Sequence, residues 1–132
     1  MTDATTPPPR ILDPDQLIDS YHAHIYFDAT TMDAAIALSE AAAARFELVL
    51  GRAHTGPVGP HPMGSRQLAC APAVFAALLP WLALNRNGLI VFAHPETGDP
   101  LADHRDRAIW LGAGLPLDLS IFGRDATVLP KS

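Results

Sequence analysis

Two helix-forming stretches, each held between short β-forming runs, leave this chain few folds to choose from. The first, "TTMDAAIALSEAAAARF", is rich in alanine, the strongest helix former. Its Ala34, Ala35, Leu38, Ala41, Ala42 and Arg45 recur at helical spacing. It predicts a helix over 31–45, opened by Thr30 and Asp33 at capping-box spacing. The second, "PAVFAALLPWLALNRNG", starts at Pro72 and stops at Gly88. Pro80 inside it is expected to kink or split the helix. Strand-like runs lie at 20–28, 46–53, 65–71 and 89–94. The last, "LIVFAH", is nearly all apolar and reads as buried on both faces.

The resulting order is β-α-β-β-α-β, the split βαβ or ferredoxin-like arrangement. Right-handed crossovers then place strands one and three in the centre, with strand four beside strand one. The expected fold class is α+β: an antiparallel sheet with both helices on one face. The other face is left to long loops or a second subunit. Charged residues make up 17% of the chain, below the usual figure of about 25%, and that low charge points to a homodimer. The Pro-rich residues 1–19 read as an extended or flexible N-terminal segment, and 20–132 as a single domain. After strand four, "PETGDPLADH" reads as a turn-rich loop and "RDRAIWLG" as a short helical turn. The tail from Ala113 is expected to be irregular or to add a strand.

Composition narrows the function. The net charge is −5 and Lys plus Arg total 9, which argues against nucleic acid as a partner. No apolar run approaches the roughly 18 residues of a membrane span, and the first residues carry no apolar signal core. A cytoplasmic protein with no membrane partner is the expectation. The lone Cys70 permits no internal disulfide and no thiolate metal cluster, and reads as a small buried residue.

The stretch "YHAHIYF" carries the chemistry. Tyr21, Ala23, Ile25 and Phe27 form an apolar side, while His22, His24 and Tyr26 lie on the other. The apolar side must face the helices, so the two imidazoles point to the open face. Strand four runs antiparallel to strand one, which carries His94 close to His22. Neutral imidazole is the commonest metal ligand, and residues two apart on a strand stand roughly 7 Å apart, within reach of one ion. Ordinary packing of His22 and hydrogen bonding of His24 remain the competing reading. "HTGPVGPHPMG" holds three Gly and three Pro, so it is a long loop of the kind that is usually functional or disordered. Its prolines pre-organise His61, whereas His54 at its start reads as an ordinary surface histidine. His104 in "DPLADH" has Asp103 and Asp106 nearby to orient it. Arg66 on strand three faces substrate or pairs with a carboxylate. Trp81 reads as core, and Trp110 is open between core and site.

Four segments, "HAHIYF", "GPHPMGSRQL", "GLIVFAHPETGDPLADH" and "AIWLGAGLPLDLS", together resemble the small fungal and bacterial type of the DOPA 4,5-dioxygenase family. The resemblance covers roughly residues 20–120, with three histidine motifs in order. It implies a dimeric ferredoxin-like domain that opens the ring of a catechol such as DOPA, using non-haem Fe(II) and O2. The seco-acid product would then cyclise. The matching histidines are His22, His24, His61, His94 and His104. An extradiol centre usually takes two histidines and a carboxylate. Asp28 lies some distance along the strand, and Asp99 and Asp103 are loop residues. The reading is therefore His22, His24 and His94 as metal ligands, with zinc or nickel able to occupy the same site. His61 and His104 are the acid–base candidates, and Tyr26 and Arg66 the substrate contacts. The alternative is a non-catalytic metal- or aromatic-ligand-binding ferredoxin-like dimer.

Overall fold

The computed structural model describes residues 8–123. Residues 1–7 of the expected N-terminal segment and 124–132 of the tail lie outside them. Five strands form one antiparallel sheet: β1 (Ser20–Phe27), β2 (Val49–Leu50), β3 (Gly64–Cys70), β4 (Val91–Glu96) and β5 (Ile109–Leu111), in the order β2-β3-β1-β4-β5. The first four take the places that the β-α-β-β-α-β order requires, and β5 extends the sheet beyond β4. A short helix α1 (Pro14–Leu17) precedes β1, and Asp19 N donates to Glu96 O at 3.0 Å, tying this end to β4.

Helices α2 (Met32–Arg45) and α3 (Pro72–Asn85) share one sheet face. Between them and the sheet lies the core of Ala23, Ile25, Phe27, Leu68, Leu78, Leu82 and Val91, all but closed to water. The α2 entry differs from the expected Thr30–Asp33 box. Asp28 Oδ1 accepts from Thr31 N, and Thr31 Oγ1 accepts from Asp28 N, so the reciprocal pair sits upstream. Pro80 does not split α3, which runs on to Asn85. Pro80 and Ala76, whose carbonyl loses its partner, are both exposed, so water satisfies the freed acceptor. The second strand is far shorter than 46–53, although Gly51 N still donates to Gln67 O at 2.8 Å.

The fourth strand continues past His94 through Pro95 to Glu96. Beyond it, helix α4 (Pro100–Arg105) and strand β5 replace the expected loop and helical turn, and a 3-10 turn, Leu119–Phe122, follows. The loop after His54, α4 and this turn lie on the sheet face that α2 and α3 leave open. They account for the burial of His24, Tyr26, Phe92 and His94 within a single chain. No helix among the described residues is long and apolar enough to cross a membrane.

Candidate metal and catalytic site

The alternation of β1 puts Ala23, Ile25 and Phe27 into the helix-side core, and Tyr21 stacks on Phe75 of α3 with centroids 4.0 Å apart. His22, His24 and Tyr26 are thereby sent to the other face. Pairing with β4 sets His22 opposite His94 and His24 opposite Phe92. The ring nitrogens of His22, His24 and His94 come within 4.8 Å of one another. The Nε2 atoms of His24 and His94 are 3.2 Å apart. Two nitrogens about 2.0–2.1 Å from one ion, at bond angles of about 90–110°, stand about 2.8–3.4 Å apart. The spacing therefore fits a shared cation as well as a shared proton.

The far sides of two of these rings are fixed. His94 Nδ1 lies 3.0 Å from Pro95 O and must donate to it, which leaves Nε2 with a lone pair. Glu96 completes the arrangement: Oε1 is 3.3 Å from His22 Nδ1 and Oε2 is 3.7 Å from His94 Nδ1. A carboxylate against Nδ1 orients the ring and makes Nε2 a better donor to a cation. Glu96 is not evident from the sequence if the strand is ended at His94. The spacing His94-x-Glu96, two residues apart on one strand face, is the available signal.

Electrostatics keep His24 and His94 neutral. Burial, followed by the neighbouring His61, His94 and His22 rings, drives the His24 pKa well below its ordinary value. Burial and the nearby His104 push His94 down to about 4, against the opposing pull of the Pro95 carbonyl. Near neutral pH, His24 and His94 therefore offer lone pairs rather than charge. Three imidazoles backed by one carboxylate form a donor set suited to iron, zinc, copper or nickel.

Two further histidines flank the cluster. The His61 ring lies 4.1 Å from that of His24, and the His104 ring 3.9 Å from that of His94. His61 is brought in by the Gly/Pro loop, which Asp118 N pins by donating to Pro60 O at 2.9 Å. Its Nδ1 is 2.7 Å from the hydroxyl of Tyr26. Tyr26 is 1% exposed. Its buried phenol proton needs an acceptor, so the hydroxyl donates to His61 Nδ1 and leaves the proton of neutral His61 on Nε2. Burial lowers His61 to about 4 and raises Tyr26, which holds both in those states. His104 is set the opposite way. Its Nδ1 donates to Pro100 O at 2.7 Å, so Nε2 carries the lone pair. Burial again lowers its pKa first of all. Helix α4, which bears His104, is held by fully buried Asp103, which accepts from Thr97 N at 2.8 Å and from Arg107 Nη1 at 3.0 Å.

The other expected contacts fall elsewhere. Arg66 pairs with Ile25 in register and turns to the helix side. Its guanidinium donates to Gly51 O and Ser39 Oγ and stands 3.8 Å from Glu40. Arg66 thus points away from the histidine face, because Leu68 and Cys70 fix the helix-facing parity of β3 and Arg66 shares it. Tyr26 is buried against His61, with Trp110 and Phe92 at its sides. Asp28 is exposed at the start of α2, Asp99 caps α4, and neither reaches the cluster. Trp81 packs on the core beside Phe46. A cleft of about 250 Å³ opens beside the cluster, lined by His24 and His61 together with Arg52, His54, Ser65 and Gln67. His54, expected as an ordinary surface histidine, lines this cleft.

The model of the Dopa 4,5-dioxygenase family matches residues 21–121. The chain belongs to that family. Within it, the chain is 35% identical over 115 residues to a DOPA 4,5-dioxygenase of Amanita muscaria, covering 80% of this chain and 50% of the relative. It is 41% identical over 86 residues to an uncharacterised 21.2 kDa protein of Botryotinia fuckeliana, covering 59% and 47%. The chain spans about half the length of these curated relatives. A crystal structure from Nostoc punctiforme, provisionally described as a dioxygenase, superposes with a TM-score of 0.79 at 48% identity, covering 81% of this chain and 92% of that one. The family match takes in the five histidines of the cluster and its flanks, together with Tyr26, Arg52, His54 and Glu96.

Proposed function

We propose that this protein is an extradiol-type dioxygenase that opens the ring of a single-ring catechol, with non-haem Fe(II) held by His22, His24 and His94. The observation that carries the reading is the convergence of three imidazoles, His22, His24 and His94, on one point beside a small cleft. A cleft of about 250 Å³ is smaller than the roughly 300–1,000 Å³ of drug-sized sites, which suits one aromatic ring. Fe(II), when bound, supplies open positions for the catechol oxygens and for O2. In the overall reaction one C–C bond beside the diol breaks. Both oxygen atoms of O2 enter the product, and no other reductant is needed.

The surrounding residues divide the proton work. His104 Nε2, with its lone pair fixed by the Pro100 carbonyl, accepts a proton from a catechol hydroxyl. His61, with Nε2–H fixed by Tyr26, donates a hydrogen bond to negative charge that develops on oxygen at the opposite side. Tyr26 therefore acts as a positioning residue. Phe92 and Trp110 pack on each other at a centroid distance of 4.7 Å beside these groups. Such acid–base groups contribute about 10²–10⁴ in rate.

The test is turnover under isotopically labelled O2 by protein loaded anaerobically with Fe(II). A ring-opened product carrying both labelled atoms is expected. A catechol oxidised to quinone with no label incorporated would refute the ring-opening reading.

A further inference from the structure

The cleft has a feature that ring opening alone does not require. Arg52 lies on its wall with His54, Ser65 and Gln67, and no Asp or Glu lines it. Among the described residues Arg52 has no carboxylate partner, in a chain whose net charge is −5. The other cations on this part of the fold are engaged: Arg66 with Ser39, Gly51 and Glu40, and Arg107 with Asp103 and Thr97. An exposed arginine left without a carboxylate on the wall of a small cleft is a ready partner for an incoming one, which its planar fork grips in two places. An ammonium group entering the same cleft would meet arginine and no counter-charge.

We infer that the outer part of the cleft is a carboxylate subsite built on Arg52, with His54 beside it. The substrate class is then a single-ring catechol whose side chain ends in a carboxylate, with no amino group demanded. This rests on the proposed ring-opening site, because the ring must lie towards His24 and His61 for its side chain to reach Arg52. Recognition would come from the acid, and the amine of an amino-acid catechol would be tolerated rather than read.

Equilibrium binding tests the subsite apart from turnover. Calorimetric titration of the full chain, without O2, would compare dihydrocaffeate, DOPA and dopamine, which differ in side-chain charge. Wild type should bind dihydrocaffeate at least as tightly as DOPA, and both about 10–100-fold more tightly than dopamine, the range of a charge-assisted contact. Arg52→Gln should collapse that ratio towards unity, and Arg52→Lys should restore part of it. Arg52 is exposed, so both variants should fold, and far-ultraviolet circular dichroism checks that they do. Dopamine binding as tightly as dihydrocaffeate, or an unchanged ratio in Arg52→Gln, would overturn the subsite. A carboxylate preference that depends on Arg52 in a protein with no oxygenase turnover would leave the subsite standing and remove the ring-opening reading instead.

Discussion

His24 and His94 meet through their Nε2 atoms at 3.2 Å, although they stand 70 positions apart in the chain. Antiparallel pairing of β1 with β4 brings them into neighbouring registers on one sheet face. The Pro95 carbonyl and the Glu96 carboxylate hold the surrounding Nδ1 atoms. The cluster is thus a product of sheet topology with a carboxylate behind it.

Glu96→Gln should weaken metal binding about 10–100-fold without unfolding the protein, the range seen when a carboxylate behind a ligand histidine is removed. Competitive titration with a chromophoric chelator measures this. An unchanged affinity would show that Glu96 does not support the histidines.

Tyr26→Phe removes the donor that fixes His61. Stability should fall by about 1 kcal/mol, and kcat should drop by about tenfold or more with little change in KM. Nitrogen-15 spectra of the imidazoles should show His61 protonated on Nε2 in the wild type and a tautomer mixture in the variant. Identical spectra for the two proteins would remove Tyr26 from this role.

Asp103→Asn should loosen the segment from Thr97 to Arg107 that presents His104. The loss of hydrogen bonds to a buried carboxylate predicts destabilisation of about 1.5–3 kcal/mol. Chemical denaturation measures it, and a midpoint equal to that of the wild type would contradict the account.

Acid should destabilise the metal-free protein. His61 and His94 have folded pKa values of about 4, against 6.5 for an ordinary histidine in water. Between those values the unfolded chain binds more protons than the folded one, so stability rises with pH. The slope should approach about 1.4 kcal/mol per pH unit for each such histidine and level off above about 6.5. Urea unfolding at stepped pH measures this, and a flat profile across the window would count against neutral buried rings.

Much of this is legible in the chain. The alternation of "YHAHIYF" places His22 and His24 on the face opposite the helices, and the element order brings His94 to them. The prolines around His61 mark a loop that does return to the sheet. Pro95 hides the rest of β4, and with it Glu96, because proline ordinarily ends a strand. Arg66 is misplaced when the parity set by Leu68 and Cys70 is neglected. His54 and Arg52 give no periodic signal, since they belong to an irregular stretch whose direction depends on tertiary pairing with Ser65 and Gln67.

Oxygen consumption by the anaerobically Fe(II)-loaded protein on addition of a catechol tests the central claim most directly. The account predicts one O2 taken up per catechol consumed. His22→Ala and His94→Ala should lose iron and uptake together, and His61→Ala and His104→Ala should keep iron yet slow by about 10²–10⁴. No uptake by the iron-loaded wild type with any catechol, or undiminished uptake by His94→Ala, would contradict it.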